Sequence, residues 1–408
     1  MTSTTPSQEP RDPSTPLRWL GLALAVALGG MLAWALTTKP PAPSTTQVQA
    51  QAQGTPEPVP PAPAQLATSP TSGQRHSAAT CAAPRTFEAA AKPYLVVEES
   101  QGEQRWYLRC PRLMRQDDGS MEALVRYQDQ QGLTGLGLQH LDPAGGLGGL
   151  EPVLTLANLA AVQAEVVGCA ALSPEDDGRA WVSVQREDRS RVIHALRWQN
   201  GQLRLDGAEP VLSATQDWMK DRLWEPAVVR HGGEWLMYMR CGSRTRGDLC
   251  LASSPDGQRW TMEPTRVLSG IEAGKNEVYG APWAVSDGER LHLWFAHKRY
   301  QTDDDGEVTD VRSEIHHLST KDPRAIELRF ESVALAPGFA DWAQAMVDTP
   351  TVGTVEGRTA MLYRGGNSAK DGVIGVAWGD CGSREHGSPT ITTKSLKSTR
   401  GQGKSTRD

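Results

Sequence analysis

Residues Glu225–Trp260 read EPAVVRHGGEWLMYMRCGSRTRGDLCLASSPDGQRW. A short apolar run behind a proline (Ala227–Val229) gives way to a His-Gly-Gly turn. A second apolar run (Trp235–Met239) ends in Arg240, a Gly/Arg-rich turn follows, and Asp248–Ser254 alternates apolar with polar residues. Runs of this length with a period of two, separated by Gly and Asp turns, are antiparallel hairpins.

The same grammar occurs four more times. It starts at Cys110 (CPRLMRQDDGSMEALVRY), Cys169 (CAALSPEDDGRAWVSVQRE), Ala281 (APWAVSDGERLHLWFAHKR) and Thr349 (TPTVGTVEGRTAMLYRG). Each copy has a third run: GLGLQHL from Gly135, VIHALRW from Val192, DLCLASS from Asp248, EIHHLST from Glu314 and GVIGVAW from Gly372. Five antiparallel units at this spacing, with no sustained helical period, predict an all-β fold of blades around an axis, a five-bladed β-propeller over 86–382.

The flanks differ from the body. Trp19–Leu36 is an uncharged apolar stretch with Arg11 and Arg18 before it and Lys39 after it. At ~1.5 Å per residue it is long enough for a bilayer core, and the charge bias leaves residues 1–18 in the cytoplasm. Its length favours a retained transmembrane signal anchor over a cleaved signal peptide. Residues 37–85, rich in Pro, Ala, Gln, Ser and Thr, form an extended disordered linker, and 383–408 form a disordered basic tail. All six cysteines follow the apolar stretch, which fits a body on the oxidising, extracytoplasmic (periplasmic or extracellular) side. Residues 1–85 carry a net +2 and 383–408 a net +4, so within the total of −6 the body carries −12. Nucleic acid is excluded as its main partner, since phosphate contacts need a basic face. A monomer is expected.

These hairpins resemble the five-bladed propeller glycosidases, glycoside hydrolase family 43 and its relatives in families 32, 62, 68 and 130, over roughly Phe87–Asp380. The resemblance is best from Trp224-Glu225-Pro226 to Ser254-Pro255-Asp256-Gly257-Gln258-Arg259-Trp260. In that family an acidic residue before a proline starts an innermost strand. It implies a glycan substrate and, for hydrolysis, a base, a tuning Asp and an acid from the first three blades. Glu225 falls at the acid position, whereas Cys110 and Cys169 stand where the other two carboxylates are expected. Asp348 and Glu277 could supply the missing groups from other blades, so the catalytic candidates are Glu225, Asp348 and Glu277. An inverting hydrolase with this rearranged site and an inactive propeller that binds a saccharide or a surface partner both follow. Ser254–Gly257 is also one residue short of a sialidase Asp-box, giving a sialidase-like propeller as a lesser alternative.

Each second strand ends in a base: Arg126, Arg186, Arg240, Lys298 and Arg364. Brought to one rim, these would surround the acids and suit an anionic glycan. His297 and Trp224 join them as binding candidates, with Trp218 and Trp342 as further stacking surfaces and Trp181, Trp235, Trp294 and Trp378 as core. A general acid at Glu225 requires a carboxyl open to the bowl with a raised pKa, while rim bases act in the opposite sense. No cofactor is expected, nor a metal, because His316 and His317 alternate to opposite faces of a strand. Cys241 and Cys250 flank one turn and are expected to form a disulfide. Cys110–Cys169 is a second candidate, and Cys81 and Cys381 could join the ends of the ring.

Overall fold

The computed structural model describes residues 84, 86–90, 107–115, 120–129, 131–141, 149–269, 276–303, 308–326, 332–355, 358–368 and 372–379. The stretches 1–18, 19–36 and 383–408, all of the linker but Pro84, and Cys81 and Cys381 lie outside them. Among the described residues no helix is long and apolar enough to cross a membrane.

The all-β expectation is met. Strand β1 (Phe87–Ala89) precedes a first antiparallel group of β2 (Tyr107–Arg115), β3 (Met121–Gln128), β4 (Thr134–His140) and β5 (Glu151–Thr155). The second group is β6 (Ala164–Leu172), β7 (Arg179–Arg186), β8 (Arg191–Gln199) and β9 (Gln202–Leu205). The third is β10 (Leu223–His231), β11 (Glu234–Gly242), β12 (Gly247–Ser254) and β13 (Thr261–Met262). The fourth is β14 (Glu277–Ser286), β15 (Leu291–Thr302), β16 (Val308–Thr320) and β17 (Ser332–Leu335). The last is β18 (Met346–Val355), β19 (Arg358–Gly366) and β20 (Val373–Gly379), to which β1 returns as the fourth strand through Phe87↔Gly379. The short outer strands β5, β9, β13 and β17 were not anticipated. They are brief edge segments of two to five residues, too short to carry a periodic signal.

First strands of successive groups touch in the cyclic order β2, β6, β10, β14, β18 and back to β2. Five apolar clusters lie between neighbours in the same order. Leu124 and Val182 share the first, Trp181 and Met237 the second, Tyr238 and Phe295 the third, Trp294 and Met361 the fourth, and Leu362 and Val125 the one that returns to the start. Both faces of each inner strand are therefore buried, and apolar area removed from water at five seams, at roughly 25 cal/mol per Å², stabilises the arrangement.

The prolines place a local device at the start of four groups. Cys110, Glu225, Ala281 and Thr349, each directly before a proline, have φ of 55, 56, 49 and 50°. At each the pairing register jumps by one residue. Proline has no N–H for the ladder, so an inner strand accommodates it at a bulge, which also re-aims the preceding side chain. The second group has Ala170 instead of proline. It keeps a register shift between Val167 and Ala170 without a positive φ at Cys169.

Arg112, two residues after the first bulge, is wholly buried where the inner strands meet. It donates to the carbonyl oxygens of Pro111 at 3.0 Å, Ala170 at 2.8 Å, Pro226 at 3.3 Å and Pro350 at 3.4 Å, and to Thr351 Oγ1 at 3.0 Å. Its guanidinium lies 5.3 Å from the Trp283 ring. One side chain thus ties the innermost strands of all five groups.

Candidate functional site

Beside this hub, at the strand starts, opens a cavity of about 390 Å³. Its walls carry Arg109, Arg189, Arg191, Arg222, Arg240, Arg244, Lys298 and Arg364, with Tyr107, Tyr300 and Trp224, and among the described residues no carboxylate. The acids lie in the wall behind. Glu225 is buried: Oε2 accepts the Ala281 N–H at 2.8 Å and Oε1 accepts Arg109 Nη2 at 3.3 Å. Gly280 makes room for this arrangement, since a Cβ there would stand 2.8 Å from Arg240 Cδ and 3.0 Å from Glu225 Oε2. Burial raises the Glu225 pKa, but Lys298, Arg240 and Arg109 outweigh it and hold the carboxyl below its ordinary value. Asp348, fully buried, accepts Lys298 Nζ at 2.7 Å and Arg364 Nη1 at 3.1 Å, and these cations likewise overcome burial and hold it well below the usual range.

The open carboxyl with a raised pKa that a general acid at Glu225 requires is therefore not what the fold provides. An acid catalyst must keep its proton near working pH, and this carboxylate is ionised inside a set of cations. Cys110 and Cys169 are disulfide-bonded to each other, with Cα atoms 5.6 Å apart. That bond occupies both positions where the resemblance places further carboxylates. Cys241 and Cys250 are also bonded, with Cα atoms 6.2 Å apart, and the register makes them diagonal rather than opposite, Cys241 facing Asp248 and Cys250 facing Met239. Cys81 and Cys381 are outside the described residues.

Of the five strand-end bases, Arg240, Lys298 and Arg364 reach the cavity. Arg126 does not. It is buried and donates from Nε to the Val167 carbonyl at 2.8 Å, joining the first two groups, and burial lowers its pKa. Arg186 lines an adjacent cleft, also of about 390 Å³, which shares Arg189 and Arg222 with the first. Trp224 lines the cavity with Arg240 and Arg191 stacked over its ring at 4.1 and 4.4 Å, so guanidinium groups already cover it. Trp342 packs on Phe339 and Tyr363, and Trp218 on the second seam against Arg266, so neither lines the cavity. Trp181, Trp235 and Trp294 are core as expected. Trp378 is partly buried against the closing seam.

Sequence reasoning missed Arg109, Arg189, Arg191, Arg222 and Arg244. A signal existed in two Arg-rich stretches, SRTR at 243–246, read above only as a turn, and REDRSR at 186–191, of which only Arg186 was singled out. Glu277 and His297 are not in the cavity wall. They pair with each other, Glu277 Oε2 to His297 Nε2 at 3.4 Å. His316 and His317 do occupy opposite faces: His317 stacks on His292 and Trp294, while His316 meets Phe295 and His297. Yet His297, Glu314 and His316 bring one ligand-type atom each to within 4.8 Å of the others, a grouping that within-strand alternation does not reveal.

No family model matches the sequence, and no curated protein matches it. Solved structures do match the fold. A glycosyl hydrolase from Bacteroides ovatus aligns with a TM-score of 0.54 and 13% identity, covering 72% of this chain and 94% of that one. A member of the GH130 family of mannoside phosphorylases and glycoside hydrolases that target β-1,2 mannosidic linkages aligns with a TM-score of 0.51 and 14% identity, covering 72% and 94%. The catalytic domain of the Coprinopsis cinerea GH62 α-L-arabinofuranosidase gives 0.50 and 10%, covering 72% and 98%. Shared architecture does not carry an activity with it. The chain has the propeller fold of these glycoside hydrolases, with a cavity whose described walls are rich in cations.

Proposed function

We propose that this protein is a five-bladed propeller that binds an anionic saccharide without hydrolysing it, held outside the cytoplasm by a membrane anchor at 19–36. The observation that carries the reading is the cavity wall, where the described residues bring eight guanidinium and ammonium groups and no carboxylate. Convergent Arg side chains suit carboxylate, sulfate or phosphate groups because their planar forks pair bidentately with them. Tyr107, Tyr300 and the edge of Trp224 offer apolar and hydroxyl surface to a sugar ring. The glycosidase resemblance and the fold support a glycan as the ligand's backbone.

Glu225 and Asp348 then act as counter-charges that let so many cations be packed together. Inverting hydrolysis is the second reading, favoured by Glu225 standing before Pro226 where the family has its acid. It needs an acid and a base about 6.5–9.5 Å apart, with one of them protonated. Calorimetry with uronate-containing, sulfated and neutral oligosaccharides tests binding, and product analysis of the same mixtures tests turnover. The expected result is salt-sensitive binding of the anionic sugars alone, with no product from the wild type or from Glu225→Gln. Turnover that falls ~10²–10⁴-fold in Glu225→Gln would establish the hydrolase instead. Protease added to intact cells should digest the propeller if the anchor orients it outward.

A further inference from the structure

The face of the fourth group that packs on the third is apolar for most of its width, with Tyr279, Leu293, Phe295 and Leu318 in the seam. Toward the strand starts the same face changes character. Three adjacent strands there present Glu277 (β14), His297 (β15), and Glu314 and His316 (β16). The register explains the grouping. Tyr279 is opposite His297, and His297 is opposite Glu314. Glu277 and His316 lie one diagonal step to either side. Directly opposed residues of an antiparallel pair share a face, with Cβ atoms about 4.5–5.5 Å apart, so four chemically apt side chains converge without a loop.

We propose that Glu277, His297, Glu314 and His316 form a binding site for a zinc-class divalent transition metal. The ligand atoms of His297, Glu314 and His316 lie within 4.8 Å of one another, and Glu277 Oε2 is 3.4 Å from His297 Nε2. Glu314 Oε1 is 3.1 Å from His316 Nε2. Zinc binds imidazole nitrogen and carboxylate oxygen at about 2.0–2.2 Å, so His297, Glu314 and His316 supply three ligands on modest inward closure, and Glu277, beside His297, stands next to them. The two imidazole rings meet edge to face at 72°, with centroids 5.2 Å apart. Two nitrogen donors select against calcium, which takes oxygen ligands, and toward the zinc, nickel and cobalt class.

The surroundings are those of a held site. Tyr279 backs the His297 ring at 4.8 Å and Phe295 backs His316 at 5.9 Å, fixing both imidazoles. Arg299, more than half exposed, donates to Glu314 Oε1 at 2.6 Å from the solvent side, the kind of outer partner that orients a ligating carboxylate. With both histidines neutral, the two glutamates and Arg299 leave one net negative charge, which a divalent cation reverses. The site is separate from the cationic cavity, whose walls include none of the four residues, so it stands or falls independently of the saccharide reading.

The test uses the full-length chain, stripped with chelator and titrated with Zn²⁺ by calorimetry, and with Co²⁺ by visible absorption. One equivalent of Zn²⁺ should bind, raise the unfolding temperature, and produce with Co²⁺ the intense d–d bands of a tetrahedral centre. His316→Gln and Glu314→Gln should each weaken Zn²⁺ binding on the order of 100-fold, with circular dichroism verifying that both variants are folded. His292→Gln, on the opposite face of the same sheet, should bind as the wild type does. The proposal is overturned if no stoichiometric metal binds, if the folded His316→Gln and Glu314→Gln variants bind as tightly as the wild type, or if His292→Gln abolishes binding.

Discussion

Cys110 and Cys169 are covalently joined across the innermost strands of the first two groups, 59 residues apart in sequence, with Cα atoms 5.6 Å from each other. A saccharide-cleaving propeller of the kind this chain resembles would present two carboxylates there. The bond removes that chemistry and adds a constraint. Closing a loop of this length restricts the unfolded chain by about 4 kcal/mol in the chain-entropy account, against about 2.5 kcal/mol for the short Cys241–Cys250 loop. Replacing Cys110 and Cys169 together by serine should therefore lower stability more than replacing Cys241 and Cys250. Urea unfolding of the two double variants without reductant measures the difference, and equal or reversed losses would contradict it.

Arg112 hydrogen-bonds to carbonyl groups of four inner strands and lies over Trp283 of the fifth. Bonds to a charged donor contribute roughly 1.5–3 kcal/mol each, and a buried acceptor left unmatched costs about 1–3 kcal/mol. Arg112→Met should lose at least about 3 kcal/mol. Arg112→Lys should recover only part of it, because an ammonium cannot span the same acceptors. Denaturant midpoints of the two variants decide the matter; a near-neutral Arg112→Met would remove the hub role.

Asp348 neutralises Lys298 and Arg364 in a fully buried site. Asp348→Asn keeps the shape but leaves two buried cations without their counter-charge, a change worth about 3–5 kcal/mol. The pH dependence has a defined sign. Because the folded carboxyl is held below its ordinary value, its contribution is present above the unfolded carboxylate pKa and is lost as pH falls through the folded one. Stability measured from neutral pH into acid should therefore fall less steeply in Asp348→Asn than in the wild type.

His194 is fully buried, and burial, assisted by the charge of Arg186, lowers its pKa to about 4. The unfolded chain takes up this proton near pH 6.5. Between that pH and about 4 the unfolded state holds more protons, so stability falls on acidification by up to about 1.4 kcal/mol per pH unit. His194→Phe should flatten the stability profile over this interval. An unchanged slope would show that His194 does not titrate as inferred.

Gly280 lies against Arg240 and Glu225 with no room for a methyl group. Gly280→Ala should displace the Arg240 stem and weaken binding of an anionic saccharide several-fold, and lower global stability by about 1–3 kcal/mol. Arg189→Ala and Arg244→Ala, which remove cavity cations on turns, should weaken it while leaving the fold intact. Calorimetric affinities beside thermal unfolding of each variant separate the two effects; unaltered affinities would move the ligand away from this cavity.

The sequence by itself determined the three inner strands of each group and their fivefold repetition. Alternation and turn residues are local, and a proline in an inner strand has only a few places to go, so Cys110-Pro111, Glu225-Pro226, Ala281-Pro282 and Thr349-Pro350 mark the same point in four units. It also placed Cys241 and Cys250 on one hairpin, and five strand-end bases at a common rim, of which Arg240, Lys298 and Arg364 line the cavity and Arg126 and Arg186 do not. What the side chains do there was decided only by the tertiary structure. Whether Glu225 meets water or Ala281 N–H and Arg109 depends on partners 56 and 116 residues away, and its charge state follows from those neighbours rather than from its position before a proline. Arg189, Arg191, Arg222 and Arg244 lie on turns and at strand starts, whose convergence is set by how the groups pack. Arg112 has no local pattern that marks it as the hub. His297 and His316 belong to different strands, and only the register between β15 and β16 brings them together. Periodicity reports which way a residue faces within its own strand, whereas a site is made by faces meeting, and that is fixed by long-range pairing and packing.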